Sequence, residues 1–213
     1  VQMGDADVFI SGLTAEYPQV MRPALQVVGT RQGVKVASGV YIIMVQQKVY
    51  FFTDATVNID PDAATLAEIA INAATFALSL DVTPTVAMLS FSNFGSAPHP
   101  LSNKVRDAVA LIKQARPDIP VDGEMQADTA IVPEIMEGRY PISKVSDANV
   151  LVFPDLGSAN IAYKLLARLG NAQTIGPILL GMGKPMQVLQ AGDDVEDIVS
   201  IISVAVMDAR SRG

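Results

Sequence analysis

Short apolar, β-rich runs alternate with helical patterns along this chain, and that alternation constrains the fold more than any other feature. The runs are "DVFIS" (7–11), "VASGVYIIMV" (36–45), "KVYFFTDAT" (48–56), "TVAMLSF" (85–91), "NVLVF" (149–153) and "PMQVLQ" (185–190). Helical periodicity is expected over 17–29, 61–80, 101–116, 128–137, 157–169 and 194–209, with Asp60 as N-cap and Pro61 opening the second of these. Such alternation predicts an α/β fold with a largely parallel sheet. Runs 36–45 and 48–56 are separated only by Gln46 and Gln47, so a hairpin is expected there and the sheet is expected to be mixed. Half of the 213 residues are hydrophobic, yet no run is long and apolar enough to span a bilayer. That combination points to sheets covered on both faces.

Charge and cysteine content narrow the chemistry. A formal net charge of −7 argues against nucleic-acid and anionic-membrane partners. The chain has no cysteine, which removes disulfides, thiolate nucleophiles and cysteine-based zinc sites, and fits a cytoplasmic protein. It begins "VQMGDADVFISG", at Val1 rather than Met, and is expected to be a fragment of a longer protein.

The strands run into polar, glycine-bearing loops: "SGLT" (11–14), "TDATVNIDP" (53–61), "SFSNFGSAPHP" (90–100), "DGEMQAD" (122–128) and "FPDLGSANIAYK" (153–164). Ligands of open α/β sheets bind beyond the carboxyl ends of strands, although the same residues also simply make turns. His99 is the sole histidine and has no second histidine or cysteine for a triad or metal site, so a structural role is expected. Asp122, Glu124 and Asp128 read either as an acidic metal cluster or as loop order, with Asp128 as a helix cap; capping is the favoured reading and no metal is expected. "GMGKP" (181–185) fails as a phosphate loop because Pro185 stands where Ser or Thr would hold magnesium. No G-x-G-x-x-G occurs.

The stretch "KPMQVLQAGDDVEDIV" (184–199) is a strand, a glycine turn and a helix start, which is good geometry for an anion. It carries four acids and no arginine. Asp193 with Glu196 three residues on reads as a capping box.

Five motifs in order carry a resemblance over essentially the whole chain: "MLSFSNFGSAPHP…KV", "DGEMQADTAIVPE", "ANVLVFPDLGSANIAYKLL", "IGPILLGMGKPMQVL" and "VEDIV". The chain resembles the phosphate acetyl/butyryl transferase family. The resemblance implies two α/β subdomains in an isocitrate/isopropylmalate dehydrogenase-like fold, with mixed, mainly parallel sheets and the N-terminal part of the first subdomain absent. Residues 1–32 and 186–213 would be the remainder of the first subdomain, and 33–185 the second, dimerising one. CoA would bind near the cleft between them.

In active members the loop after the last strand carries Ser-Arg before Gly, the serine near the CoA thiol and the arginine on the phosphate or acyl group. An aspartate general base follows. Here those positions read Gln190 and Ala191, and Asp197 matches the base. This departure, with "SGLTAEYPQVMRPALQ" (11–26), resembles the C-terminal domain of hybrid NADP-dependent malic enzymes. The expectation is a regulatory and oligomerising domain, a homodimer or larger, that binds acetyl-CoA as effector through Arg22, Ser11, Asn93, Gly95, Ser96, Lys184 and Gln190. Without a guanidinium the site at Gln190, Ala191 and Asp197 would be degenerate and acetyl transfer lost. No cofactor is expected in this domain; NADP and Mg or Mn would belong to an upstream malic enzyme domain in the same chain. Two readings compete: an active phosphate acetyltransferase, and a structural module without a ligand.

Overall fold

The computed structural model describes residues 1–212. The chain opens with β1 (Phe9–Gly12) and α1 (Tyr17–Val27), then a hairpin of β2 (Ser38–Val45) and β3 (Lys48–Thr53). Next come α2 (Ala63–Ser79), β4 (Val86–Leu89), α3 (Pro100–Ala115) and β5 (Val121–Met125). Two short helices, α4 (Ala127–Ile131) and α5 (Pro133–Arg139), lead to β6 (Val150–Val152) and α6 (Leu156–Leu169). The chain ends with β7 (Gln173–Leu180), β8 (Met186–Leu189) and α7 (Val195–Ser211).

These elements make an α/β fold with mixed, mostly parallel sheets. Six strands lie in the order β5-β4-β6-β3-β2-β7, and β1 pairs in parallel with β8 in a second, two-stranded sheet. In the large sheet only β2 is reversed: it is antiparallel to both β3 and β7, and the other pairings are parallel. The reversal comes from the expected hairpin. Gln46 and Gln47 have φ of 50° and 65°, the left-handed pair that lets a two-residue turn match the strand twist.

Alternation along the strands splits the core in two. Val40, Ile42, Phe51, Val86, Met88 and Val150 face α2 and α3, where Leu66, Ile69, Phe76, Val105 and Ile112 meet them. The intervening Tyr41, Ile43, Phe52, Leu89 and Leu151 face the other way, toward Met136, Ala159 and Tyr163. Both faces are therefore covered, as the apolar composition requires. A third, smaller core joins Met21 and Ala24 of α1 to Leu179, Met186 and Val188. The buried Gln187 ties the sheets together by accepting from Leu179 N at 2.8 Å.

Two strands are absent from the sequence reading. β5 is "VDGEM", whose three central residues read as loop. β7 is "QTIGPILL", where Gly176-Pro177 reads as a breaker. Pro177 is tolerated because β7 is an edge strand and the register shifts at this point against β2.

The caps also differ. Asp62, not Asp60, caps α2, its Oδ1 accepting from Thr65 N at 2.8 Å; Asp60 instead pairs with Lys104. The helix expected over 128–137 breaks at Val132, which Pro133 forces into extended backbone. Asp128 lies inside the first turn of α4, with Gln126 at the cap. Asp194, not Asp193, caps α7, and Asp197 rather than Glu196 closes the capping box.

Candidate active site

The loop after β8 folds back on itself before α7 begins. Gln190 N donates to Asp193 Oδ2 at 2.7 Å, and Asp193 N donates to Gln190 O at 3.2 Å. Asp194 and Asp197 then exchange backbone-to-carboxylate bonds of 3.0 and 3.1 Å across the first turn of α7. With the turn closed internally, the Gln190 side chain points away from it and its Nε2 donates to Tyr41 Oη. Tyr41 stacks on Tyr163 of α6, ring centroids 4.0 Å apart, and donates to Tyr163 Oη at 3.2 Å.

This contact walls a cleft of about 410 Å³ between the two sheets, with Tyr17 and Thr56 among its other lining residues. A neighbouring cavity of about 460 Å³ shares Tyr41, Tyr163, Lys164, Gln190 and Ala191, and extends to Arg168, Asp193 and Asp197. A larger cavity of about 880 Å³ lies elsewhere, around Lys113, Asp122 and Tyr140. Its Asp122 is already held by Lys113 Nζ at 3.0 Å and Ser143 Oγ at 2.8 Å. Among the described residues, five buried side-chain polar atoms lack a partner. Two of them, Tyr17 Oη and Thr56 Oγ1, belong to residues lining the inter-sheet cleft, and none to residues lining the larger cavity. The inter-sheet cleft, not the larger cavity, is therefore the one lined by residues whose hydroxyls are not committed to another protein group.

Local structure fixes these groups. Thr56 follows β3 in a loop wound around the buried Asp54 carboxylate. That carboxylate accepts from Gly39, Thr56, Val57 and Asn58 N at 2.9 to 3.1 Å. Burial raises the Tyr17 hydroxyl well above the ordinary phenol range, and the Asp54 charge adds to the shift. Burial likewise raises Tyr41, with the Tyr163 hydrogen bond next in importance and Gln190 opposing. Both therefore remain neutral hydrogen-bond donors, not phenolates. Asp193 is raised by burial first, while the bond from Gln190 N opposes and Asp197 and Asp194 add to the rise.

The expected site residues fall in several places. Gln190 and Ala191 line both parts of the cleft, and Asp197 lines the second part. Ser11 lies on β1 opposite Val188, and Arg22 is exposed on α1. Lys184 lies at the opposite end of β8 from Gln190, beside Asp7 and Arg210. Asn93, Gly95 and Ser96 sit in the loop after β4. There Asn93 exchanges bonds with Gln126, Gly95 N donates to Glu124 Oε1 at 2.6 Å, and Ser96 Oγ accepts from Asn93 N. His99 caps α3, its Nδ1 accepting from Leu101 N. Among the described residues no group of three His, Asp or Glu side chains is placed to hold a metal ion, and no helix is long and apolar enough to cross a membrane.

Sequence reasoning missed Tyr17, Tyr41, Thr56, Tyr163, Lys164 and Arg168. Tyr41 and Tyr163 are buried among core residues and read as packing. Thr56 and Lys164 lie in strand-end stretches already noted as cleft formers, which was the available signal.

Comparison with known proteins identifies the fold and the family. A phosphotransacetylase structure from Streptococcus pyogenes superposes with a TM-score of 0.95 at 43% identity, covering 99% of this chain and 65% of that one. The phosphate acetyltransferase of Bacillus subtilis is 43% identical over 210 residues, 98% of this chain and 65% of that protein. A branched-chain phosphotransacylase structure from Enterococcus faecalis shares the fold, with a TM-score of 0.85 at 24% identity, covering 98% of this chain and 75% of that one. The profile of the phosphate acetyl/butaryl transferase family matches residues 1–206, and the chain belongs to that family. It spans about 65% of the length of the curated relatives it matches.

These relatives overturn the malic-enzyme reading. Proteins matching almost the whole chain at 41–43% identity are phosphate acetyltransferases. A regulatory domain of an NADP-dependent oxidoreductase, with acetyl-CoA as effector and an upstream malic enzyme domain in the same chain, does not fit them. Nor does the expected loss of acetyl transfer. That reading weighed two short loops above the rest of the chain. Its electrostatic argument counted only charges on the loop after β8, whereas α6 brings Lys164 and Arg168 to the same cavity.

Proposed function

We propose that the protein transfers an acetyl group between CoA and phosphate, as a phosphate acetyltransferase. The observation that carries this reading is the cleft between the sheets. There the loop after β8 meets stacked tyrosines, two partnerless hydroxyls and two cations. Acyl transfer needs a base for the thiol, donors for an oxyanion and a place for phosphate.

In the direction of acetyl-CoA formation, the Asp197 carboxylate takes the thiol proton and sulfur attacks the carbonyl carbon of acetyl phosphate. The carbonyl oxygen becomes an oxyanion, and Tyr17, Thr56 and Gln190 are the neutral donors that the lining residues offer for it. Collapse breaks the carbon–oxygen bond and releases phosphate. The reverse reaction returns the proton from Asp197 to the departing thiolate. Gln190 contributes an amide where active members carry serine, and Ala191 contributes only backbone. Ser11 and Arg22, on the strand and helix that bring Tyr17 to the cleft, are the CoA contacts kept in this reading. Residues 1–32 with 186–213, and residues 33–185, are read as the two subdomains of a dehydrogenase-like arrangement, each built around one of the two sheets. A CoA-dependent reaction and a chain without cysteine fit the cytoplasm.

Phosphorus NMR tests the reading. The whole protein with acetyl-CoA and phosphate should form acetyl phosphate, and Asp197→Asn should lower kcat by about 10²–10⁴. No conversion by the wild type would overturn it.

A further inference from the structure

The sequence places no cation on the loop after β8, where four acids follow Gly192 within five residues. A phosphate bound there needs positive charge from elsewhere, since the protein's net charge is −7 and overall attraction is unavailable. Lys164 and Arg168 are four residues apart on α6, which puts them on one face of that helix. Both line the cavity that also holds Gly192, Asp193 and Asp197. Neither enters an ion pair among the described residues, where the five pairs use Lys48, Lys104, Lys113, Arg116 and Arg212. Lys164 Nζ stands 5.3 Å from the Tyr163 ring centroid, a cation–π contact that holds it beside the stacked tyrosines. In the same lining, Asp193 and Asp197 each accept a backbone N–H, from Gln190 and Asp194 respectively. Among the described residues the two cations are thus in no ion pair, and the acids lining the same cavity already have backbone partners.

We propose that Lys164 and Arg168 seat the phosphate group of the reaction, replacing from α6 the cation that the loop after β8 lacks. Arg168 offers a planar fork suited to two phosphate oxygens, and Lys164 a mobile point charge. Together they balance a dianion. The proposal rests on the acyl-transfer reading for its role in turnover, but anion binding is measurable without turnover.

The test uses initial rates of the whole protein with acetyl-CoA and inorganic phosphate. Lys164→Ala and Arg168→Ala should each raise KM for phosphate roughly tenfold, and the double variant roughly a hundredfold. KM for acetyl-CoA should change little, and Lys164→Arg should retain most of the phosphate affinity. A rise in KM for acetyl-CoA alone would place these cations on the phosphates of CoA and overturn the proposal. Lower kcat with both KM values unchanged would do the same. If the wild type shows no acyl transfer, the functional reading fails by itself, and calorimetry with inorganic phosphate decides the proposal. Saturable binding weakened about tenfold in each alanine variant supports it; absent binding, or binding indifferent to the variants, overturns it.

Discussion

Gly12 closes β1 with φ of +134°, and a Cβ built on it would lie 2.2 Å from Leu189 O. The pairing of β1 with β8, and with it the placement of Gln190, depends on that missing methyl group. Gly12→Ala should destabilise the protein by at least about 2 kcal/mol, combining a disfavoured φ with a backbone clash. Urea unfolding would show the shift, and an unchanged midpoint would contradict this account of the strand pair. Asp193 makes a pH-dependent prediction. Its pKa is raised on folding, so the folded protein binds its proton more tightly than the unfolded chain does. Its contribution to stability is full below the ordinary value of 3.8 and is lost as pH rises through the folded value. Asp193→Asn keeps an acceptor for Gln190 N without the charge. The variant's stability relative to wild type should therefore rise as pH moves from below about 4 to neutral. A difference constant across pH would contradict it. At this scale the sequence was least legible. Gln190 reads as a serine lost, whereas its amide holds Tyr41, 149 residues away in the chain.

Asp194 shows how one element carries the loop that matters. As N-cap of α7 it accepts from Asp197 N at 3.0 Å, and Asp194 N donates in turn to the Asp197 carboxylate. Asp194→Ala should cost about 1 kcal/mol of stability by urea unfolding. It should also lower the acyl-transfer rate, because it removes the acceptor for Asp197 N and loosens the first turn that carries the Asp197 carboxylate. Full activity at normal stability would show that the cap plays neither part. Most elements were legible, since period 2 and period 3.6 are printed in the apolar residues. The misses have physical causes. The central Asp122-Gly123-Glu124 of β5 hides a strand whose Glu124 is buried by bonds from Ser92 and Gly95, which no local pattern announces. Gly176-Pro177 hides β7 because a bulge at a sheet edge accepts what a central strand would reject. Caps slipped by one or two residues wherever two acids stood close together, as at Asp60 and Asp62 or Asp193 and Asp194. There only the finished backbone decides which carboxylate meets a free N–H.

On the scale of the whole molecule, the two sheets share little direct pairing, yet the cleft between them gathers groups from α1, β2, α6 and the loop after β8. The site is a product of topology: Tyr17, Tyr41, Tyr163 and Gln190 are scattered through the chain and meet only once both sheets have formed. That is why the family was legible from ordered motifs while the roles of individual residues were not. It is also why the absence of an arginine from one loop misled: the cations that line the cavity come from α6. The most direct measurement is the initial rate of thioester formation from acetyl phosphate and CoA by the whole protein. Saturable, enzyme-dependent formation of acetyl-CoA, inhibited competitively by inorganic phosphate against acetyl phosphate, is the predicted result. A rate no greater than that without protein would contradict the account.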